Sequence, residues 1–307
     1  VSAPVVVWRF LDGKAGHDRQ TSGLLRALAE RLPLDVHALP VSASRVGVWQ
    51  AWRRRLPAAL AALPAPRLLL GAGHACEWPL LAARRARGGR AVYLMKPSFP
   101  TRCFDLCFVP RHDGVAAGPH VEPTEGVLND IVPGPRERAG PALVLVGGPS
   151  KHHGWDEAGL LRQVASLLSG QRARELVITD SRRTPATTAL ALAGFTREGV
   201  RFVSHREVGG DWLRERLAQA PAAWVTADSV SMLFEALSAG CAVGVLEVPA
   251  RRSDRISGIA PGLLREGRVS SLADWLASGE LPSPRAPLAE AARCAAVVHA
   301  RLLGGAA

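Results

Sequence analysis

Ser229, Ser231 and Glu235 have the types and spacing needed to hold a phosphate and a ribose. They lie in TADSVSMLFEALSAG (226–240), where a short apolar run is followed by a tight turn and a helical pattern. Two hydroxyls in a first helical turn sit beside unpaired backbone N–H groups and the positive end of the helix, a cradle for an anion. Glu235, one turn further on, could accept two ribose hydroxyls. Asp228 or Ser229 could instead simply cap the helix. GGPSKHHGWD (147–156) repeats the theme with two glycines for close backbone approach, then Ser150, Lys151 and two histidines. It lacks the order of a Walker A loop. Gly148, Ser150 and Lys151 are therefore read as diphosphate contacts, with a polar loop before a helix as the alternative. In TDSRRTP (179–185), Arg182 or Arg183 could pair with a phosphate, with Thr184 as cap and Pro185 at the first helical position.

A second chemistry is spelled near the start. DGKAGH (12–17) ends an apolar strand and places His17 before a helix expected over 18–32 and capped by Asp18. Asp12 or Asp18 could orient that imidazole or raise its basicity, which is what a general base requires. The alternative makes His17 a polar cap, with Lys14 and Gly16 shaping the turn. His74 and Glu77 in GAGHACE, Lys96 in MKPSFP, and His112 and Asp113 in PRHDG are candidates for contacts to an acceptor. Thr124, Glu125 and Asn129 are candidates for lining a hinge.

The elements that must position these loops alternate. Strands are expected at 5–11, 34–40, 67–73, 90–95 and 104–110, with helices between the first four and a short extended PHVEPTEG after the last. VPGPRERAGP (132–141) reads as a linker. The pattern then restarts, with strands at 142–148, 174–180, 200–205, 222–226 and 241–249 and helices between them. PLAEAARCAAVVHARLL (287–303) reads as one amphipathic helix. This order predicts two parallel sheets covered by helices. Every unusual loop follows the carboxyl end of a strand, where open α/β sheets bind ligands. One shared cleft between two facing domains is the expectation: 1–135 on the acceptor side, 140–285 on the nucleotide-sugar side, and 286–307 crossing back to the first.

Composition narrows the classes. The 307 residues are 48% hydrophobic and 21% charged, which excludes a disordered chain. No apolar run reaches the ~18 residues of a membrane span, and VSAPVVVWRF has the character of a first core strand rather than a signal peptide. A cytoplasmic protein is expected. Five cysteines show no metal spacing, so no metal site is expected. The net charge of +11 comes almost wholly from Arg, and no nucleic-acid-binding motif accompanies it, so no nucleic acid is expected. The three lysines, Lys14, Lys96 and Lys151, all fall in the loops named above, where a compact ammonium on a flexible stem is useful. Arg45, Trp49, Trp52, Arg53, Arg54 and Arg55 suit either peripheral contact with the inner-membrane surface or a core face with solvated arginines.

DGKAGH, MKPSFPTRCFDLCFVPRHD, TEGVLN, GGPSKHHGW, TDSRRTP and TADSVSMLFEALSAGCAV together resemble the bacterial ELM-type family, over nearly the whole chain. Its members also carry the label nucleoside-diphosphate-sugar epimerase-like. The resemblance implies the two-Rossmann GT-B architecture of glycosyltransferases and their epimerase relatives. Gly13, Gly16 and His17 are also similar to the strand-1 loop of the lipid-linked N-acetylglucosaminyl transferase of peptidoglycan synthesis, with Lys14 in place of a small residue. The expected activity is a cofactor-free, metal-independent glycosyltransferase acting at the cell envelope on a nucleotide-sugar donor. A nucleotide-sugar 2-epimerase or hydrolase, or a non-catalytic interaction module, are the alternatives.

Overall fold

A computed structural model describes residues 3–42, 53–135, 137–170, 175–284 and 286–304. Trp49, Trp52 and Arg45, with most of the expected second helix, lie outside the described residues, and only the short helix Ala58–Ala61 of that region is described. The chain divides into two compact units, Val1–Asp130 with Ala289–Ala307, and Ile131–Leu288.

The first unit is an all-parallel six-stranded sheet in the order β2-β1-β3-β4-β5-β6. Its strands are β1 (Val5–Leu11), β2 (Leu34–Pro40), β3 (Leu68–Ala72), β4 (Arg90–Leu94), β5 (Leu106–Pro110) and β6 (Val121–Thr124). Side chains alternate faces along a strand, so each strand must be apolar throughout when helices cover both sides. Val5, Val7, Leu68, Leu70, Val92 and Leu94 pack with Leu24 and Leu28 of helix Ala15–Ala29 and with Cys294 and Val298 of helix Glu290–Val298. Trp8, Phe10, Leu69, Ala91 and Tyr93 face the other way, onto Cys76, Leu80 and Ala83 of helix His74–Arg87. Each large side chain buried this way contributes about 1.5–3 kcal/mol.

The second unit repeats the plan in the order β12-β11-β10-β7-β8-β9. Its strands are β7 (Ala142–Leu145), β8 (Leu176–Thr179), β9 (Val200–Val203), β10 (Ala222–Thr226), β11 (Ala242–Leu246) and β12 (Ser270–Ser271). Val144, Ile178 and Trp224 pack under helix Glu157–Gly170, and Trp224 meets Trp275 edge-on at 5.3 Å.

Four local expectations are corrected. The first helix begins at Ala15, so Asp18 is inside its first turn and does not cap it; Lys14 is the N-cap residue and no side chain caps the helix. Pro185, not Thr184, is the N-cap of helix Ala186–Ala193, because the Thr184 hydroxyl is spent on the carbonyls of Val146 and Gly147. The last helix runs Glu290–Val298 and relaxes into a π turn at His299–Leu303, while Leu288 lies before it and donates its N–H to Leu237 O. Finally, PHVEPTEG is not merely extended but supplies the edge strand β6. Helix Leu272–Ser278 has its own legible start signal, because Ser271 caps the N–H of Asp274 at 3.1 Å.

The closing helix is fastened to β6 through one guanidinium. Arg293 donates to Glu290 (2.9 Å), to Glu122 (2.6 Å) and to the Pro123 carbonyl (2.6 Å), and Glu290 in turn accepts the Glu125 N–H at 3.0 Å. The carboxylates raise the pKa of Arg293 further, so the guanidinium itself stays charged at every accessible pH. Arg293→Ala therefore lowers stability by about 1–2 kcal/mol after allowance for its partial exposure, read as a lower urea midpoint with an unchanged slope.

Candidate functional site

In the second unit, the loops after β7, β8 and β10 are drawn together by one buried carboxylate. The Asp228 side chain is fully buried. Its Oδ2 accepts the Gly148 N–H at 2.9 Å and the Arg183 Nη2 at 2.7 Å. Arg183 also donates Nη1 to the Gly148 carbonyl. A Cβ on Gly147 would fall 2.2 Å from Asp228 Oδ2, so that position has room only for hydrogen. The Thr226 hydroxyl takes the Gly147 N–H at 2.8 Å, and Thr184 reaches Gly147 O at 2.5 Å. The Gly-Gly pair is thus explained first by packing against Asp228 and Arg183, and the Gly148 N–H is already engaged.

Around this clamp the remaining residues divide. Ser150 forms a local turn, its hydroxyl accepting the N–H groups of His152 (3.1 Å) and His153 (3.0 Å). Lys151 and Arg182 are exposed. Ser229 is the N-cap residue of helix Val230–Ala239, yet its hydroxyl makes no capping bond, and Asp228 is turned to the clamp. Ser231 is exposed on the first turn, and Glu235 is buried on the next.

Sequence reasoning missed the contribution of the segment after β11. It pairs with the 150–154 loop: Gly154 N–H donates to Pro249 O at 2.8 Å, Arg251 N–H to His152 O at 2.9 Å, and His153 bridges to Ala250. His152 Nδ1 lies 2.6 Å from Asp254 Oδ2, which Arg252 Nε also approaches at 2.6 Å. The bond from His152, then those from Ser257, Arg252 and Ile256, hold the Asp254 carboxyl well below the usual carboxylate range. With Nδ1 committed, His152 keeps Nε2 for other work. Nothing in RRSDRIS signalled a partner 102 residues away. Beyond β9, His205 donates its N–H to Asp180 Oδ1 at 2.6 Å. Its Nδ1 is 2.9 Å from Oδ2 but is not aligned for a hydrogen bond.

In the first unit, His17 lies in the first turn of its helix, with Nδ1 2.8 Å from Asp12 Oδ2. The Asp12 side chain is 2% exposed and that of His17 19%. Asp12 Oδ1 accepts the Lys14 N–H at 3.1 Å, and Lys14 Nζ stands 3.9 Å from Oδ2. Gly73, after β3, closes the back of the pair: its φ is +83°, and a Cβ there would lie 2.1 Å from His17 Nδ1 and 2.7 Å from Asp12 Oδ2. A carboxylate on Nδ1 fixes that nitrogen as the donor and leaves Nε2 as a base. Asp18 is held differently. Its carbonyl accepts from Arg9 at 2.5 Å, and burial raises its carboxyl pKa against the pull of Arg9. Gly16 is exposed with open space where a Cβ would be.

Glu77 is a buried anchor rather than a surface contact. It accepts the N–H groups of Ser98 (3.0 Å) and Phe99 (3.2 Å) and the Tyr93 hydroxyl (3.1 Å), which shapes the KPSF loop. Met95, just before it, has φ +86°, a strained value for a residue with a side chain. His74 is exposed and bonded to Ser98 Oγ at 2.9 Å, and Lys96 is exposed beside it in sequence. His112 lies in the turn Arg111–Asp113 after β5. The thiols of Cys76 and Cys107 are pushed up to about 12 by burial, which makes them inert as nucleophiles. Among the described residues no three His, Cys, Asp or Glu side chains are placed to share a metal ion, and no helix is long and apolar enough to cross a membrane.

Two parallel α/β units in tandem, with their polar loops at strand carboxyl ends, define a two-Rossmann protein of the GT-B type. The sequence profile described as mitochondrial fission ELM1 matches residues 15–302, and the chain belongs to that family. A candidate UDP-N-acetylglucosamine 2-epimerase from Listeria monocytogenes superposes with a TM-score of 0.62 at 11% identity, over 99% of this chain and 98% of that one. A further UDP-N-acetylglucosamine 2-epimerase gives 0.59 at 12% identity, over 98% and 96%. The Neisseria meningitidis UDP-GlcNAc 2-epimerase, in a structure bound to UDP-GlcNAc, gives 0.54 at 10% identity, over 99% and 100%. At such identities the likeness is one of fold. A search of curated proteins gives no match.

The Asp254 geometry sets an acid limb. A carboxyl with a depressed folded-state pKa adds stability above its unfolded value of about 3.9, and that stability is lost as pH falls through the folded value. Asp254→Asn therefore flattens the drop in melting temperature below about pH 4 and leaves the neutral range little changed in slope.

Proposed function

We propose that the chain is a metal-independent glycosyltransferase that takes a nucleotide-sugar donor and acts in cell-envelope glycan or glycolipid synthesis on the cytoplasmic side. The observation that carries this reading is the Asp12–His17 pair, a buried carboxylate holding an imidazole with Nε2 left as base. His17 Nε2 would take the proton of an acceptor hydroxyl as that oxygen attacks the anomeric carbon. The bond between the anomeric carbon and the diphosphate breaks, and the nucleoside diphosphate leaves with the electron pair. Lys151, Arg182 and the N-terminal turn of helix Val230–Ala239, with Ser229 and Ser231, would hold the diphosphate and meet its growing charge. Arg183, committed to Asp228, would shape the loop rather than contact the ligand. Glu235 would take the ribose, and Lys14, His74, Lys96 and His112 would serve the acceptor. These cations supply the electrostatic work that a metal ion does elsewhere, so the reaction as proposed needs no added cofactor.

A second oriented histidine, His152 on Asp254, favours one competing reading, acid–base chemistry on the sugar itself by a 2-epimerase or hydrolase. Turnover of the nucleotide sugar with no acceptor present would select it.

A thermal-shift screen of UDP-, GDP-, ADP- and CMP-sugars should find at least one that raises the melting temperature, with about 2.7 kcal/mol of added stability at a hundred times Kd. If none does, the enzyme reading is lost. With that sugar, His17→Ala should lower kcat about 10²–10⁴-fold while binding persists, and Glu235→Ala should raise Kd. Peripheral contact with anionic membrane through Trp49, Trp52, Arg53, Arg54 and Arg55 belongs to the same proposal, since Arg53 to Arg55 are exposed. Co-sedimentation with anionic but not neutral vesicles is expected, and should disappear when these residues are replaced.

A further inference from the structure

His153 shares a loop with Lys151, but its imidazole is buried, with 2% of the residue exposed, and Nδ1 has no hydrogen-bond partner. Its backbone leaves it little freedom. The N–H is held by Ser150 Oγ at 3.0 Å, the carbonyl accepts the Ser150 N–H at 3.0 Å, and the residue bridges to Ala250. The charged and titratable groups that act on it come from four loops. Asp228 after β10 and Asp254 after β11 favour the imidazolium, whereas His152 in its own loop and Arg183 after β8 oppose it. Burial outweighs the carboxylates and lowers the pKa of His153, so the ring is neutral at pH 7. Asp228 presents a matching deficit: its Oδ1 is also buried without a partner. Two unmatched polar atoms, one on each side of the same loop cluster, leave it able to take up one more proton. The two carboxylates near the ring are each already engaged by a guanidinium, Asp228 by Arg183 and Asp254 by Arg252, so holding an imidazolium here calls for further negative charge.

We infer that His153 takes up a proton from solvent when the diphosphate of a nucleotide sugar settles on the 147–151 loop, so that ligand binding and protonation are one linked event. The inference rests on the donor-site reading above and adds to it the charge state of a residue that does not itself react. A proton adds to the free imidazole nitrogen, an imidazolium forms, and no bond of the ligand changes. The phosphate oxygens supply the charge that burial otherwise denies the ring. By linkage, affinity is highest below the pKa of His153 in the empty protein, itself under about 6.5. It weakens by up to about tenfold per pH unit until the bound-state pKa is passed.

The test is calorimetric titration of the whole protein with UDP-glucose, GDP-mannose and ADP-glucose at pH 7 in two buffers of different ionisation enthalpy. Their phosphodiesters do not titrate near neutrality, so net uptake reports on the protein. Uptake approaching about one proton, falling towards zero in His153→Gln, is the expected result. Binding with no uptake, or with uptake unchanged in His153→Gln, overturns the inference and leaves the donor site standing. If none of the three binds, the diphosphate donor on which the inference rests is absent and the inference falls with it. Should His153→Gln fail to fold, nitrogen NMR of the wild-type imidazoles decides: the His153 signal must move from the neutral to the imidazolium range on adding the sugar that binds, and a signal that stays neutral overturns the proposal.

Discussion

A carboxylate removed from water must be matched by charge and by N–H donors, and Asp228 imposes that requirement on three loops at once. Its side chain is fully buried, and the Gly148 amide and the Arg183 guanidinium meet it. Because removing either partner would strand a buried charge, the loops after β7, β8 and β10 cannot vary independently. The consequence for chemistry is division of labour within one Arg-Arg pair. Arg183, though itself exposed, spends its donors on the Gly148 carbonyl and Asp228, whereas its exposed neighbour Arg182 takes no part in the clamp. The same division separates the two histidines of the 150–154 loop, one fixed by Asp254 and the other buried beside unmatched atoms.

The first unit solves a similar problem with fewer parts. Asp12 follows β1, His17 sits on the first turn of the next helix, and Gly73 after β3 leaves the space that the pair fills. A parallel sheet brings the ends of β1 and β3 side by side although some sixty residues separate them in the chain, which is the reason such folds collect polar groups at one edge. Glu77 extends the arrangement one strand further by pinning the loop after β4 through the Ser98 and Phe99 amides, with the Tyr93 hydroxyl of β4 as a third donor. The strain at Met95 is tolerated because that loop is held from both sides.

Stability and site placement are also linked through the end of the chain. Arg293 joins the last helix to β6, so the edge strand and the final helix support each other within the first unit. The two cores are otherwise ordinary. Each strand contributes alternate residues to opposite helical layers, and polar side chains gather beyond the strand carboxyl ends.

How much of this was legible depended on the range of the interaction. Apolar runs and helical spacing report local burial, and β1, β2 and β10 fall at the residues that the pattern predicts. Loop composition likewise marks DGKAGH, GGPSKHHG and TDSRRTP as unusual. Partnership was not legible in the same way. Asp12 could be seen near His17 because five residues separate them, whereas Asp254 and His152 are 102 apart and Arg183 and Asp228 are 45 apart. Which groups carried signals and which paired with them therefore divide cleanly. The sequence by itself determined two α/β halves and the loops that bear charge, because backbone periodicity is a local property. Only the tertiary structure decided that Asp228, not a serine hydroxyl, ties together the loops after β7, β8 and β10, because burial and ion pairing arise when distant loops meet.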